Sequence, residues 1–262
     1  MSHEDIYQHF KADERQFIER CLDWLMQVDD QYSVISTYFL NPREALILKQ
    51  LIGNREIQCF STGELALSEL TKIILAPSFY ILDVADFDLA LLEIQFAHHY
   101  NQLSHAQVLG ALLHQTGVKR QEIGDIVITD KTVQVFVSRH LIDVFESIDK
   151  IARVAVKIKA IELSALTKSN QEATKEVILV ETARIDKIIA ASFKVSRNLA
   201  ANMVESKKVK VNYLEIEKRN GVVGSGDLIS VRGYGRIRIS DFLGETKKGK
   251  QRVSVEILKN RK

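Results

Sequence analysis

The chain has 262 residues, 46% hydrophobic and 27% charged, a composition that excludes a fully disordered polypeptide. No run of 18 apolar residues occurs, which argues against a hydrophobic membrane-spanning helix. The formal net charge of +2 conceals a division: residues 182–262 hold 19 Lys and Arg against 8 Asp and Glu, or +11, whereas residues 1–181 carry −9. Such asymmetry points to a polyanion-binding module joined to an acidic body.

In chain order, Phe10, Phe17, Ile18, Cys21, Leu22, Leu25 and Met26 recur at helical spacing and predict one helix over 3–27, with Cys21 as a small core hydrophobe. Asn41-Pro42-Arg43-Glu44 is a helix start, with a capping side chain, a proline at the first helical position and a glutamate able to reach back; Gly53 is its stop. Residues 57–61 and 72–76 predict short strands, the second ended by Pro77. Residues 1–75 therefore read as a small N-terminal α/β domain.

The next segment carries a clearer pattern. A strand is expected at 88–96. Ser104-His105-Ala106-Gln107 is a capping box ahead of Val108, Leu109, Leu112 and Leu113, and Gly117 closes that helix. Strands at 125–129 and 132–138 flank the Asp130-Lys131 turn. A helix at 139–149 and a strand from Val154 to Ile158 complete the order. This βαββαβ sequence is the ferredoxin-like plait also used by RNA-recognition (RRM-like) domains, and it assigns 76–163 to such a domain. The polar run at 164–180 lacks a core pattern at its centre, so 164–181 reads as a linker. The fold class is α+β.

The basic segment 182–262 begins with a helix opened by Arg184-Ile185-Asp186. Ser196 caps a second helix over 197–206. In Lys207-Lys208-Val209-Lys210-Val211-Asn212 the valines point inward and Lys208 and Lys210 outward. Strands follow at 228–232 and 236–240, after a Gly226-Asp227 turn, so two helices should pack on a small curved sheet. Tyr234, between Gly233 and Gly235 and flanked by Arg232 and Arg236, is placed to stack on a base.

The series Arg184-x-Asp186, Ser196-Arg197, Val209-x-Val211-Asn212 and Gly226-Asp227 resembles the S-four (alpha-L) RNA-binding domain over about 182–240. That resemblance implies an RNA backbone cradled by the two helices and the first strand, with Arg184, Ser196, Arg197, Lys208, Lys210 and Asn212 facing it. Lys187, Lys207, Arg232, Tyr234, Arg236, Lys247 and Lys248 complete the candidate RNA-binding set. The family usually carries Gly where this chain has Lys207, and often Gly where it has Tyr213. Both turns want positive φ, so either these two residues are mildly strained or the loops differ from the family's. A narrower resemblance spans most of the chain. His105-Ala106-Gln107-x-x-Gly110-Ala111-Leu112-Leu113, Gly117-Val118-Lys119-Arg120, Ile123-Gly124-Asp125-Ile126, Arg232-Gly233-Tyr234-Gly235-Arg236 and Gly244-x-Thr246-Lys247-Lys248 are similar to YlmH-type proteins. This implies a non-enzymatic RNA binder, encoded near cell-division genes. It implies docking on ribosomal RNA of the large subunit, with tRNA as a second candidate, in ribosome-associated quality control of subunits obstructed by peptidyl-tRNA. A protein partner for the N-terminal domain is compatible with that role.

Other chemistry is poorly supported. His98, His99, His105 and His114 lack zinc-ligand spacing, and Asp83, Asp86 and Asp88 lack an EF-hand pattern and read as a solvated turn. Neither a metal nor a cofactor is expected. The rival is an RNA-modifying enzyme, since this RNA-binding domain is often joined to pseudouridine synthases and methyltransferases. Only Gly53 and Gly63 precede residue 110, so the glycine-rich loop of a methyltransferase is missing. A pseudouridine synthase needs a catalytic Asp in a larger separate domain. Cys21 and Cys59 form no CxxC, and the polar start Met1-Ser2-His3-Glu4-Asp5 lacks secretory features, so a cytoplasmic protein is expected.

Overall fold

The computed structural model describes residues 10, 14–65, 68–167 and 173–259. Helix α1 (Arg15–Gln31) buries Ile18, Cys21, Leu25 and Val28, one stripe at helical spacing. It runs past the expected end at 27 because Val28 extends the apolar stripe; most of the expected first turns lie outside the described residues. After β1 (Ile35–Ser36), helix α2 (Pro42–Ile52) starts as its sequence requires. Asn41 Oδ1 accepts from the Arg43 and Glu44 N–H groups at 2.9 and 3.0 Å, and the Glu44 carboxylate accepts from Asn41 N–H at 2.8 Å. Strands β2 (Ile57–Ser61) and β3 (Ile73–Pro77) complete an antiparallel sheet in the order β1-β3-β2.

Strand β3 is buried along its whole length and serves two cores. Ile73 and Leu75 pack with α1 and α2 around Leu25, Leu40 and Leu48. Ile74 and Ala76, on the opposite face, pack with Phe39, Phe87, Leu91 and Phe136. The expected domain boundary at 75/76 therefore cuts through a strand that joins the two halves.

Strand β4 (Leu89–Phe96), helix α3 (His105–Thr116), strands β5 (Ile123–Ile128) and β6 (Val133–Ser138), helix α4 (Ile142–Glu146) and strands β7 (Lys150–Ile151) and β8 (Val154–Ile161) follow. Their antiparallel sheet has the order β5-β6-β4-β8-β7. Val108 and Leu112 of α3 and Phe145 of α4 close over Leu92, Ile94, Val133 and Val135. Helix α4 is shorter than the expected 139–149. Asp88 captures the Arg139 N–H on its carbonyl at 2.8 Å and the His140 N–H on its carboxylate at 3.0 Å, and residues 139–141 form a 3₁₀ turn instead. Asp88 also accepts from the buried Lys72 ammonium at 3.1 Å, so it is a structural anchor rather than a solvated-turn residue.

The Ile123-Gly124-Asp125 motif fastens the two halves together. A Cβ on Gly124 would stand 2.7 Å from the Phe39 ring, so only glycine admits that ring. The Asp125 carboxylate accepts from the backbone N–H groups of Glu69 and Leu70, and Phe39 N–H reaches Gln121 O at 3.0 Å.

Residues Met1–Ser169 form one compact unit and Asn170–Lys262 a second. The second unit begins inside the expected linker, with β9 (Thr174–Val180). Helices α5 (Ile185–Phe193) and α6 (Arg197–Glu205) follow, then β10 (Val209–Val211), β11 (Leu214–Glu215), β12 (Leu228–Val231), β13 (Gly235–Glu245) and β14 (Gln251–Lys259). The sheet order is β11-β10-β12-β13-β14-β9. Ile178 and Val180 of β9 enter the same core as Ile188, Ile189, Val204, Ile237 and Val255, which is why this end of the polar run is strand and not linker. Residues 241–259 also belong to the fold. Val253, Val255 and Ile257 alternate inward, so β14 completes a long hairpin with β13. Gly235 permits that hairpin. Its φ is 137°, and a Cβ there would lie 2.0 Å from the Leu258 carbonyl oxygen. Gly235 thus serves the chain's own packing, whereas Gly233 supplies a positive φ of 84° with open space around it.

Candidate nucleic-acid interface

The thirteen candidate residues, all in the second unit, fall into three places. The first is the start of the helix pair. Arg184 precedes α5, and Ser196 caps α6 by accepting from Leu199 N–H at 3.2 Å. Asp186, 1% exposed, lies between them. It accepts from Arg184 Nε and Nη2 at 3.0 and 2.9 Å and from Arg197 Nε at 3.1 Å. Burial alone pushes the Asp186 carboxyl up, but the two guanidinium groups outweigh it and hold the carboxyl below its ordinary value. The open cleft beside them, about 590 Å³, also takes Lys218 and Arg219, but Glu205 and Glu217 line it too. Lys187 is bound to Glu181 at 2.7 Å and Lys207 to Glu217 at 2.9 Å. Much of the positive charge here is neutralised within the unit.

The second place is the edge formed by β10 and its neighbours. Lys208, Lys210 and Arg232 are exposed and have no ion-pair partner among the described residues. Arg232 N–H donates to the Lys208 carbonyl at 2.9 Å, continuing the β10–β12 ladder, so two cations stand side by side. Lys210 faces Ser230 and, one strand further, Arg236; Glu215 is opposite Lys210 on β11 without pairing to it. Two residues expected here are committed elsewhere. The Asn212 side chain donates to Asp227 Oδ1 at 2.8 Å and accepts from Leu228 N–H at 2.9 Å, stapling the turn it occupies at φ 49°. The Tyr234 ring leans on Phe193, centroids 5.7 Å apart, and joins the edge of the core rather than standing free as a stacking platform.

The third place is the β13–β14 turn, where Lys247 and Lys248 are exposed. Residues 237–245 of β13 separate it from Arg236 by roughly 30 Å at roughly 3.3 Å per residue. The structure does not gather all thirteen residues into one patch. It also adds Arg238 and Arg252, exposed on the sheet face opposite the helices, which the sequence pattern did not single out. The i, i+2 spacing of Arg236 and Arg238 in a recognised strand was the available signal. Strain falls where expected: Lys207 has φ 57° and Tyr213 φ 70°.

No helix among the described residues is long and apolar enough to cross a membrane, and no group of three or more His, Cys, Asp or Glu among them could hold a metal ion. The fold and the exposed cations define an α+β protein with a basic, largely sheet-built C-terminal unit. Comparison with known proteins gives the relationship. Residues 13–80 match the family described as "YlmH, N-terminal", and residues 83–165 match "Putative RNA-binding domain in YlmH". The chain is 34% identical over 253 residues to the Bacillus subtilis (strain 168) ribosome-associated protein quality control protein P2, covering 96% of this chain and 98% of that protein. It is also similar to the structure of the cell division protein ylmH from Streptococcus pneumoniae, with 29% identity and a TM-score of 0.55, covering 62% of this chain and 99% of that one. The chain belongs to the YlmH family.

Proposed function

We propose that this protein is a non-catalytic RNA-docking factor of the cytoplasm. Its C-terminal unit grips ribosomal RNA of the large subunit, and tRNA held there is the second RNA it meets. The observation that carries the reading is the pair Lys208 and Arg232, adjacent across the ladder without a carboxylate between them, with Lys210 alongside. Like charges facing one another across strands repel, and a phosphate chain relieves that repulsion. The α5–α6 pair, which shares one core with Val209 of β10, supports an S-four-type domain within 182–262. The order β5-β6-β4-β8 supports a ferredoxin-like plait within 76–163. The likeness to a ribosome-associated quality control protein supports the choice of ribosomal RNA.

The arginines at the helix starts act differently, since Arg184 and Arg197, held by Asp186, fix the geometry of the pair. Arg197→Glu would set a second carboxylate beside Asp186 and disturb the fold, so the clean test uses exposed residues. Lys208→Glu with Lys210→Glu should abolish co-sedimentation with large subunits while circular dichroism stays unchanged. Undiminished co-sedimentation would refute the reading. A new modified nucleoside, formed when the wild type is incubated with RNA and a methyl-donor cofactor or with RNA alone, would favour the enzyme instead.

A further inference from the structure

The first unit holds a second cleft, about 470 Å³, at the seam between the segments matched by the two family domains. We propose that it binds a single unpaired nucleotide, base inward and phosphate at the rim. All of its lining residues belong to the first unit.

Its aromatic wall comes from α1. Arg20 and Trp24, one helical turn apart, share a face of that helix. Edge contacts from Phe17 and Tyr38, at centroid distances of 6.3 and 5.7 Å, hold the indole in place. Arg20 sits over the Tyr38 ring at 5.6 Å and donates to its hydroxyl at 3.2 Å. Trp24 is half-buried against the N-terminal core, so only its accessible part meets the cleft, and that part, being pre-set, loses little rotamer freedom when a base packs on it.

The floor is polar and already satisfied. The Lys72 ammonium, 3% exposed, donates to Asp88 O, Asp88 Oδ2 and Ser138 Oγ at 3.0, 3.1 and 3.0 Å. Ser138 donates to Glu122 at 2.6 Å, and His140 Nδ1 lies 2.7 Å from Asp88. This network is rigid and rich in acceptors, which suits the amino groups of a base better than a second anion.

Unspent groups gather around that floor. The Trp24 indole N–H, the Ser36 hydroxyl, the Gln121 side-chain amide and the Lys119 ammonium line the cleft without a hydrogen-bond partner among the described residues. An amide offers both donor and acceptor to a base edge. Arg20 and Lys119, both exposed, supply positive charge at the rim. Aromatic wall, amide and rim cations together match a nucleotide. The same chemistry arises in a free mononucleotide or in an unpaired residue of an RNA strand.

Trp24 is the sole tryptophan, so its fluorescence in the full chain reports this cleft. The probes are AMP, UMP, a short single-stranded oligoribonucleotide and polyglutamate. Saturable quenching by a mononucleotide identifies the free ligand; quenching by the oligoribonucleotide alone identifies a strand residue. Either should weaken about tenfold or more in Arg20→Gln with Lys119→Gln, and should persist in Lys208→Glu with Lys210→Glu even if the latter loses the ribosome. Absence of quenching, equal quenching by polyglutamate, or quenching untouched by the cleft variants would overturn the proposal.

Discussion

Asp186 is a buried carboxylate whose partners both reach toward water, so its removal costs hydrogen bonds to charged groups without stranding either arginine in the core. Asp186→Asn should therefore destabilise the second unit by about 2–3 kcal/mol, read as a lower urea midpoint of the full chain. The same carboxyl gives a signed pH dependence. Its folded value lies below the ordinary value of about 3.9, so its stabilisation is present above that pH and is lost as pH falls through the folded value. Urea midpoints measured from pH 5 to pH 2 should fall less steeply in Asp186→Asn than in the wild type. Cys21 gives a simpler expectation. Burial, reinforced by Glu44, pushes its thiol up to about 12, so iodoacetamide at pH 8 should modify it only after unfolding.

At the scale of elements, backbone conformation dominates. Helix α6 ends in a Schellman motif: Lys208 N–H reaches Met203 O at 3.0 Å and Lys207 N–H reaches Val204 O at 3.1 Å, with Lys207 at φ 57°. The side chain there makes only an exposed pair with Glu217, so Lys207→Gly relieves a left-handed residue at little cost in contacts. It should raise stability by about 1 kcal/mol in urea denaturation and leave RNA affinity nearly unchanged. Gly235→Ala acts in the opposite direction. Its Cβ meets backbone that cannot move without parting β13 from β14, and a loss of about 3 kcal/mol or more is expected in the same assay. These elements also show what the sequence reveals by itself. Caps at Asn41, Ser104 and Ser196 and the valine alternation of β10 are local, so they are legible from neighbouring residues. Strand β9 is not, because Ile178 and Val180 mean little until β14 lies beside them. The fusion of the N-terminal and middle segments was hidden for the same reason: β3 reads as one short apolar run, and its service to two cores exists only in three dimensions. In the candidate interface, exposed Lys208 and Lys210 followed from alternation. The engagement of Asn212 and Tyr234 depended on Asp227 and Phe193, which are distant in sequence.

Across the whole molecule the decisive quantity is how many cations remain for phosphate once local pairs are removed. About five to eight phosphate contacts would give a log–log salt slope of roughly −4 to −7. Among the candidate residues, Arg184, Lys187, Arg197 and Lys207 are paired with carboxylates. Lys208, Lys210, Arg232, Lys247 and Lys248 are exposed without such partners among the described residues. With those five carrying the contact, and Arg238 and Arg252 left outside it, the expected slope for large-subunit binding sits at the shallow end, about −4, because an arginine already held by Asp186 has less charge to offer a phosphate. Lys208→Gln and Lys210→Gln should each make it shallower by about 1, whereas Lys187→Gln should change it little. The turn at Lys247 and Lys248 lies roughly 30 Å along the hairpin, so its share reports whether one RNA follows the sheet from edge to tip. Lys247→Gln with Lys248→Gln should bring the slope to about −2 to −3 if both ends hold the same strand, with affinity measured between 50 and 200 mM salt. A slope unchanged by that pair but reduced by the β10 variants would confine RNA docking to the face of β10 and β12.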